Sequence, residues 1–269
     1  VISLHQVDYA VGGAHLLHGI SIQFNPGEVV ALLGANGAGK STLLRLIAGE
    51  LRPVRGEVRW GGRPLAALGL RELAVRRGVL AQQGQIGFPM EAGEVVALGR
   101  APHGDSHLQA RALAVAAMRR TGTGHLDARL APTLSGGELQ RVQAARVLTQ
   151  IDGVSGGRAL LLDEPVSALD PCHQHRLLQL AVEEATRGAA VLCVLHDLNL
   201  AARYATRVVA LERGRIVEDG SPGEVLRPDL LARLFRVDAE VHSLPSYPWP
   251  VVVTRGPLES TNEHDGGHG

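Results

Sequence analysis

Residues 34 to 41 read Gly-Ala-Asn-Gly-Ala-Gly-Lys-Ser. The spacing G-x-x-x-x-G-K-[ST] suits a loop that wraps a phosphate chain. Glycines let the backbone close tightly, so N–H groups along Gly34, Ala35, Asn36, Gly37, Ala38 and Gly39 can turn toward an anion. A helix predicted over Ser41 to Ala48 would add the positive end of its dipole. In such a loop Lys40 reaches the β- and γ-phosphates, Ser41 supplies a Mg²⁺ ligand and Thr42 bonds a phosphate oxygen. Composition sharpens the point. Of 27 basic residues, 26 are arginine and Lys40 is the single lysine. Where nearly every cation is a guanidinium, the exception belongs where a compact ammonium is required.

A second chemical unit is Ala159-Leu160-Leu161-Leu162-Asp163-Glu164-Pro165. An apolar strand ends in two carboxylates. Asp163 at the strand tip would hold Mg²⁺, and Glu164 would polarise an attacking water as general base. Two acids at a strand end are as easily a solvated edge. A phosphate loop elsewhere in the chain makes the pair coherent.

These groups need a scaffold. Strand patterns are predicted over Ile2 to Val7, Ile20 to Phe24, Glu28 to Leu33, Glu57 to Trp60 and Gly78 to Ala81, then over Ala159 to Leu162, Ala190 to Leu195, Val208 to Leu211 and Arg215 to Glu218. Helices are predicted over His173 to Arg187, Leu198 to Ala205 and Pro228 to Phe235. Apolar strands alternating with helices imply an α/β fold with a largely parallel sheet covered on both faces. Residues 85–150 read as mainly helical, a subdomain inserted between the core segments 1–84 and 151–255. The Gly/Ser-rich stretch 151–158 reads as a surface loop. The polar stretch 256–269 predicts disorder.

Acidic and basic residues balance at 27 each, with pI near 7.4. No overall field draws the chain to nucleic acid or an anionic membrane, so no nucleic-acid partner is expected. No apolar run approaches the roughly 20 residues needed to cross a bilayer. Any work at a membrane is done by docking on other chains. Cys193, in an apolar run, is expected to be a buried thiol, and Cys172 makes no disulfide framework with it. The 12 histidines, including His103, His107, His264 and His268, form no ligand set with nearby acids.

The remaining motifs carry a resemblance. Leu134-Ser135-Gly136-Gly137-Glu138 looks like the signature motif of ABC-type ATPases. As plain physics it is also a capping box that opens a helix. Gln82 resembles the Q-loop glutamine, with Gln83 the weaker candidate. Ser167-Ala168-Leu169-Asp170 resembles the D-loop, and His196 the switch histidine at the γ-phosphate. The resemblance spans about residues 2 to 235. It implies a P-loop NTPase (RecA-like) core with an antiparallel β subdomain and an inserted helical subdomain. It implies ATP and Mg²⁺, with Ser41, Gln82 and Asp163 at the metal and Glu164, His196 and Gln82 as the catalytic set. It further implies a head-to-tail homodimer in which Ser135, Gly136 and Gly137 of one copy close on nucleotide held by the other. Where the family stacks an aromatic ring on adenine, this chain has Val11; Tyr9, two residues earlier, is the available substitute.

The segment Glu94 to His103 resembles the ATPases of bacterial importers for iron-siderophore, heme and vitamin B12. Phe88-Pro89 and the 151–158 stretch look most like the heme branch. The resemblance thus implies two copies of a permease subunit, an indirect periplasmic binding protein and a peripheral place on the cytoplasmic face of the inner membrane. Two other readings are a soluble ABC-type ATPase acting on DNA or ribosomes and a P-loop kinase. The single cassette without heptads or a basic arm disfavours the first. The signature and switch motifs disfavour the second.

Overall fold

The computed structural model describes residues 2–82 and 87–258. A six-stranded sheet forms the centre, in the order β10-β9-β3-β8-β7-β6. Its strands are β3 (Val29–Leu33), β6 (Arg77–Leu80), β7 (Ala159–Asp163), β8 (Ala190–Val194), β9 (Arg207–Glu212) and β10 (Arg215–Gly220). All neighbours are parallel except the β9–β10 hairpin. Every residue of β3, β7 and β8 is buried, which is why these strands read as unbroken apolar runs. Their side chains alternate between two cores. Val30, Leu32, Leu161 and Leu192 face one, and Ala31, Leu33, Leu160 and Cys193 the other.

The first core lies under a four-stranded antiparallel sheet, β2-β1-β4-β5. It comprises β1 (Ile2–Val11), β2 (Ala14–Phe24), β4 (Arg55–Trp60) and β5 (Arg63–Pro64). Helix α1 (Lys40–Ile47) buries Leu43, Leu44, Leu46 and Ile47 in the same core. Each such side chain contributes about 1.5–3 kcal/mol. The second core is closed by α6 (Pro171–Thr186), α7 (Leu198–Tyr204), α8 (Pro222–Val225), α9 (Pro228–Phe235) and a C-terminal hairpin of β11 (Val237–His242) and β12 (Val251–Pro257).

Between β6 and β7 the chain leaves the sheet. Helices α3 (Ala92–Ala97), α4 (His107–Thr121) and α5 (Gly136–Ile151) pack around a third core of Val95, Val96, Ala114, Met118, Leu126 and Val142. The short α2 (Leu70–Arg76) precedes β6 and packs on α5. Arg120 on α4 pairs with Glu183 and the buried Glu184 on α6, and Arg176 donates to the carbonyls of Arg119 and Arg120. The helical subdomain is therefore tied to the core by charge-assisted bonds.

Several elements differ from the sequence reading. β1 and β2 run on to Val11 and start at Ala14, because Gly12-Gly13, both at positive φ, makes a two-residue hairpin turn. α2 and the β11–β12 hairpin were not predicted. Gly256 and Pro257 lie in β12, so the 256–269 stretch expected to be disordered begins inside a strand. Residues 259–269, with His264 and His268, and Gln83 lie outside the described residues. α5 extends through Ile151, and Arg158 at the end of the Gly-rich stretch is buried against Glu184 and the carbonyls of Ile151 and Arg187. That end of the stretch is packed where a surface loop was expected. Cys193 is buried and Cys172 exposed, both free.

Candidate active site

The parallel strands point their carboxyl ends the same way, and the chemistry collects along that edge. β3 ends at Leu33 and runs into the phosphate loop. β7 ends in Asp163 and leads to Glu164. β8 is followed by Leu195 and His196, and β6 by Ala81 and Gln82.

The loop needs its glycines. Gly34 sits at φ 149°, and a Cβ there would collide with the Leu211 carbonyl. Gly39 at φ 103° would place a Cβ 2.7 Å from Leu17 Cδ2. No side chain caps α1 at Gly39, so its first N–H groups remain free for an anion. Lys40 is 6% exposed and folds back across its own loop. Its Nζ donates to the carbonyls of Gly34 at 2.7 Å and Ala35 at 3.0 Å. Burial lowers the pKa of this ammonium from its usual value, and Glu164 and Asp163 offset part of the shift.

The acids stand opposite. Ser41 Oγ donates to Asp163 Oδ1 at 3.2 Å. Burial raises the Asp163 pKa; the Ser41 bond opposes this, Glu164 adds to it, and Lys40 and His196 oppose it. Glu164 sits at φ 49°, the left-handed region that a side chain enters at a cost of about 1–3 kcal/mol. Its carboxylate accepts from Gln82 Nε2 at 2.8 Å and pairs with His196 Nε2 at 2.7 Å. Its carbonyl accepts from Gln140 Nε2 at 3.1 Å and Ser167 Oγ at 3.1 Å.

A cleft of about 580 Å³ is lined by Leu16, Asn36, Gly37, Gly39, Lys40, Ser41, Thr42, Gln82, Glu164 and His196; Gly34 and Asp163 are not part of its lining. Loop amides, one ammonium and one oriented carboxylate facing a cavity this size can hold a polyphosphate and activate a water. Each carboxylate oxygen of Glu164 keeps a second lone pair for that water.

Other predicted residues lie elsewhere. Ala35 and Ala38 line a smaller cavity of about 250 Å³, behind the loop, which shares Asn36 and Gly37 with the cleft. Ser135 and Gly136 are exposed at the start of α5, away from the cleft lining. There Ser135 and Glu138 complete the capping box, with Glu138 Oε2 accepting from Ser135 N at 2.8 Å. A Cβ on Gly137 would come 2.9 Å from the Ala168 carbonyl, so this helix start abuts the 167–170 turn. Tyr9 packs on the β-subdomain core, and Val11 is exposed beside the hairpin turn; neither lines the cleft. Leu16 does line it. It was missed because β2 was predicted to begin only at Ile20, though its neighbour Leu17 is fully buried and alternation puts Leu16 on the other face. Gln140 was also missed. It lies one turn beyond Ser135–Gly136 on α5, and only tertiary packing brings it to Glu164.

Three comparisons bear on this arrangement. Residues 17–167 match the family model described as "ABC transporter". The chain is 49% identical over 252 residues to the hemin import ATP-binding protein HmuV of Myxococcus xanthus (strain DK1622), covering 91% of this chain and 93% of that protein. Among solved structures, a bacterial ABC transporter cassette described as a dimer is 27% identical with a TM-score of 0.72, over 82% of this chain and 99% of that one. A cassette in a post-hydrolysis state bound to ADP and Pi matches at 25% identity, with the same TM-score and coverage.

Proposed function

We propose, on the premise that this chain belongs to the ABC transporter family, that it is the ATP-hydrolysing subunit of a bacterial importer and energises hemin uptake through a membrane permease. The observation that carries the ATPase reading is Glu164, held by Gln82 and His196 over the cleft that Lys40 closes from below. The cargo rests on the hemin-import relative at 49% identity.

ATP is bound by the loop amides, the α1 N-terminus and Lys40, with Thr42 at a phosphate oxygen. Glu164 takes the proton of the attacking water, and His196 and Gln82 fix the direction of its carboxylate. The family implies Mg²⁺. The donor set fits it: one buried carboxylate whose charge burial disfavours, one hydroxyl 3.2 Å away and one amide nearby. Among the described residues no three His, Cys, Asp or Glu side chains gather into a metal cage, which suits an ion held largely by substrate phosphates. Ser41 and Asp163 would hold it, with Gln82 beside them, and it would neutralise phosphate charge.

Two copies would pair head to tail, Ser135, Gly136 and Gly137 of one reaching the γ-phosphate on the other. The exposure of Ser135 and Gly136 at a helix start supports this. Among the described residues no helix is long and apolar enough to cross a membrane. The subunit would sit on the cytoplasmic face, docked on two permease subunits that receive substrate from a periplasmic binding protein.

Reconstitution with permease and binding protein in vesicles tests the cargo. ATP-dependent accumulation of hemin, above ferric siderophore and cobalamin, is the expected result. Transport of either alternative in preference to hemin would reassign the cargo and leave the ATPase intact. Ser135→Arg tests the composite site. Nucleotide binding by the single chain should persist, while ATP-dependent dimerisation weakens at least roughly tenfold, ~1.4 kcal/mol. Unchanged dimerisation in sedimentation runs with ATP would remove Ser135 from the interface.

A further inference from the structure

We propose that Asn199 is a positioning residue for His196, because its side-chain amide pins the first turn of α7 to the backbone of β12. The inference rests on the reading of His196 as a side chain that acts at the cleft.

The geometry is reciprocal. Asn199 Nδ2 donates to the Val252 carbonyl at 3.0 Å, and Asn199 Oδ1 accepts from Val252 N at 2.8 Å. A carboxamide carries one donor and one acceptor group side by side, so it can satisfy both backbone groups of one residue as a neighbouring strand would. Val252 is itself fixed. It is buried in the core that holds Leu200 and Ala201, and Val241 pairs with it across the hairpin. Asn199 therefore grips a rigid point.

The other end of the same segment is the cleft. His196 bonds Glu164, Asp197 caps the helix by accepting from Asn199 N at 2.8 Å and Leu200 N at 2.9 Å, and Leu198 opens α7. Only Asp197 and Leu198 separate the histidine from the asparagine. A tilt of the first turn of α7 is transmitted through this short, capped segment to the imidazole. A second contact between α7 and the hairpin lies a turn further on, where the Arg203 guanidinium lies 5.4 Å from the Tyr204 ring and 5.0 Å from the Trp249 ring. It holds the hairpin without touching the helix start. The two attachments therefore separate the loss of a seated hairpin from the loss of histidine alignment.

The test compares Asn199→Ala, Asn199→Asp and Arg203→Ala in the full chain, with ATP turnover, KM for ATP and melting temperature measured on each. Assays run well below the lowest melting point. Asn199→Ala is expected to lower kcat about tenfold with KM within twofold of wild type. Asn199→Asp keeps the acceptor for Val252 N–H and should fall between. Arg203→Ala should lose as much melting temperature as Asn199→Ala and keep kcat within twofold. Equal loss of kcat in Arg203→Ala and Asn199→Ala would overturn the proposal in favour of general hairpin support. So would unchanged kcat in Asn199→Ala, or a raised KM at unchanged kcat. His196→Ala runs beside them: wild-type turnover there would overturn the site reading and this inference with it.

Discussion

Glu164→Gln is expected to bind ATP and to hydrolyse it about 10²- to 10⁴-fold more slowly than the wild type, the span that a positioned general base contributes. The substitution preserves shape. Residue 164 keeps a carbonyl oxygen that can accept from Gln82, and its backbone carbonyl still accepts from Gln140 and Ser167. What is lost is the charge that, on the proposed reading, removes a proton from water. Binding should survive because the phosphate loop, α1 and Lys40 lie on the other side of the cleft. Phosphate release measures the first effect, and retention of labelled ATP measures the second. ATP should also accumulate in a dimer that fails to reopen. A rate within tenfold of wild type would take the base role from Glu164. His196, at 2.7 Å, would then be the next group to examine.

Lys40→Met should show the opposite split between function and fold. Nucleotide affinity is expected to fall at least about 100-fold, ~2.7 kcal/mol, since a charge-assisted contact to the phosphates is lost from a buried place. Stability of the nucleotide-free chain should hold or rise. Burial is the main influence on this ammonium and lowers its pKa. The folded chain thus binds the Lys40 proton more weakly than the unfolded chain does. Below the folded pKa the group is charged in both states, and the destabilisation is fully present. It is relieved only as pH climbs from the folded pKa toward the unfolded value of 10.5. Melting curves without nucleotide at neutral pH, beside titrations with ATP, check both halves. A large drop in the apo melting temperature would show that the bonds to the Gly34 and Ala35 carbonyls outweigh desolvation.

The residues that gather at the candidate site were more legible in the sequence than some of the scaffold, for physical reasons. Central strands are apolar on both faces, so β3, β7 and β8 stand out, and the residues that follow them inherit a common edge from parallel pairing. The phosphate loop demands glycines at backbone angles that other residues avoid, so it leaves a pattern. The far half of the first hairpin left a weaker one. Register shifts between Leu4 and Val7, Val7 and Tyr9, and Tyr9 and Ala10 interrupt the alternation that marks a strand. That interruption hid Leu16. The β11–β12 hairpin is short, charged on its open face and joined by a segment containing Pro245, Pro248 and Pro250, which reads as loop. Gln140 could not be read at all, because a helical glutamine is ordinarily a solvated one until packing shows what it reaches.

The solitary lysine has a consequence for handling the molecule. Reagents that acylate side-chain amines have one target in this chain, and it is buried at the end of the Gly-rich loop that follows β3. A lysine-specific protease likewise has a single cutting point, between Lys40 and Ser41, at the first peptide bond of α1. On the proposed reading, bound nucleotide would cover that point. Amine labelling and limited proteolysis, which report on general surface in most proteins, would in this one gauge whether the proposed nucleotide site is filled.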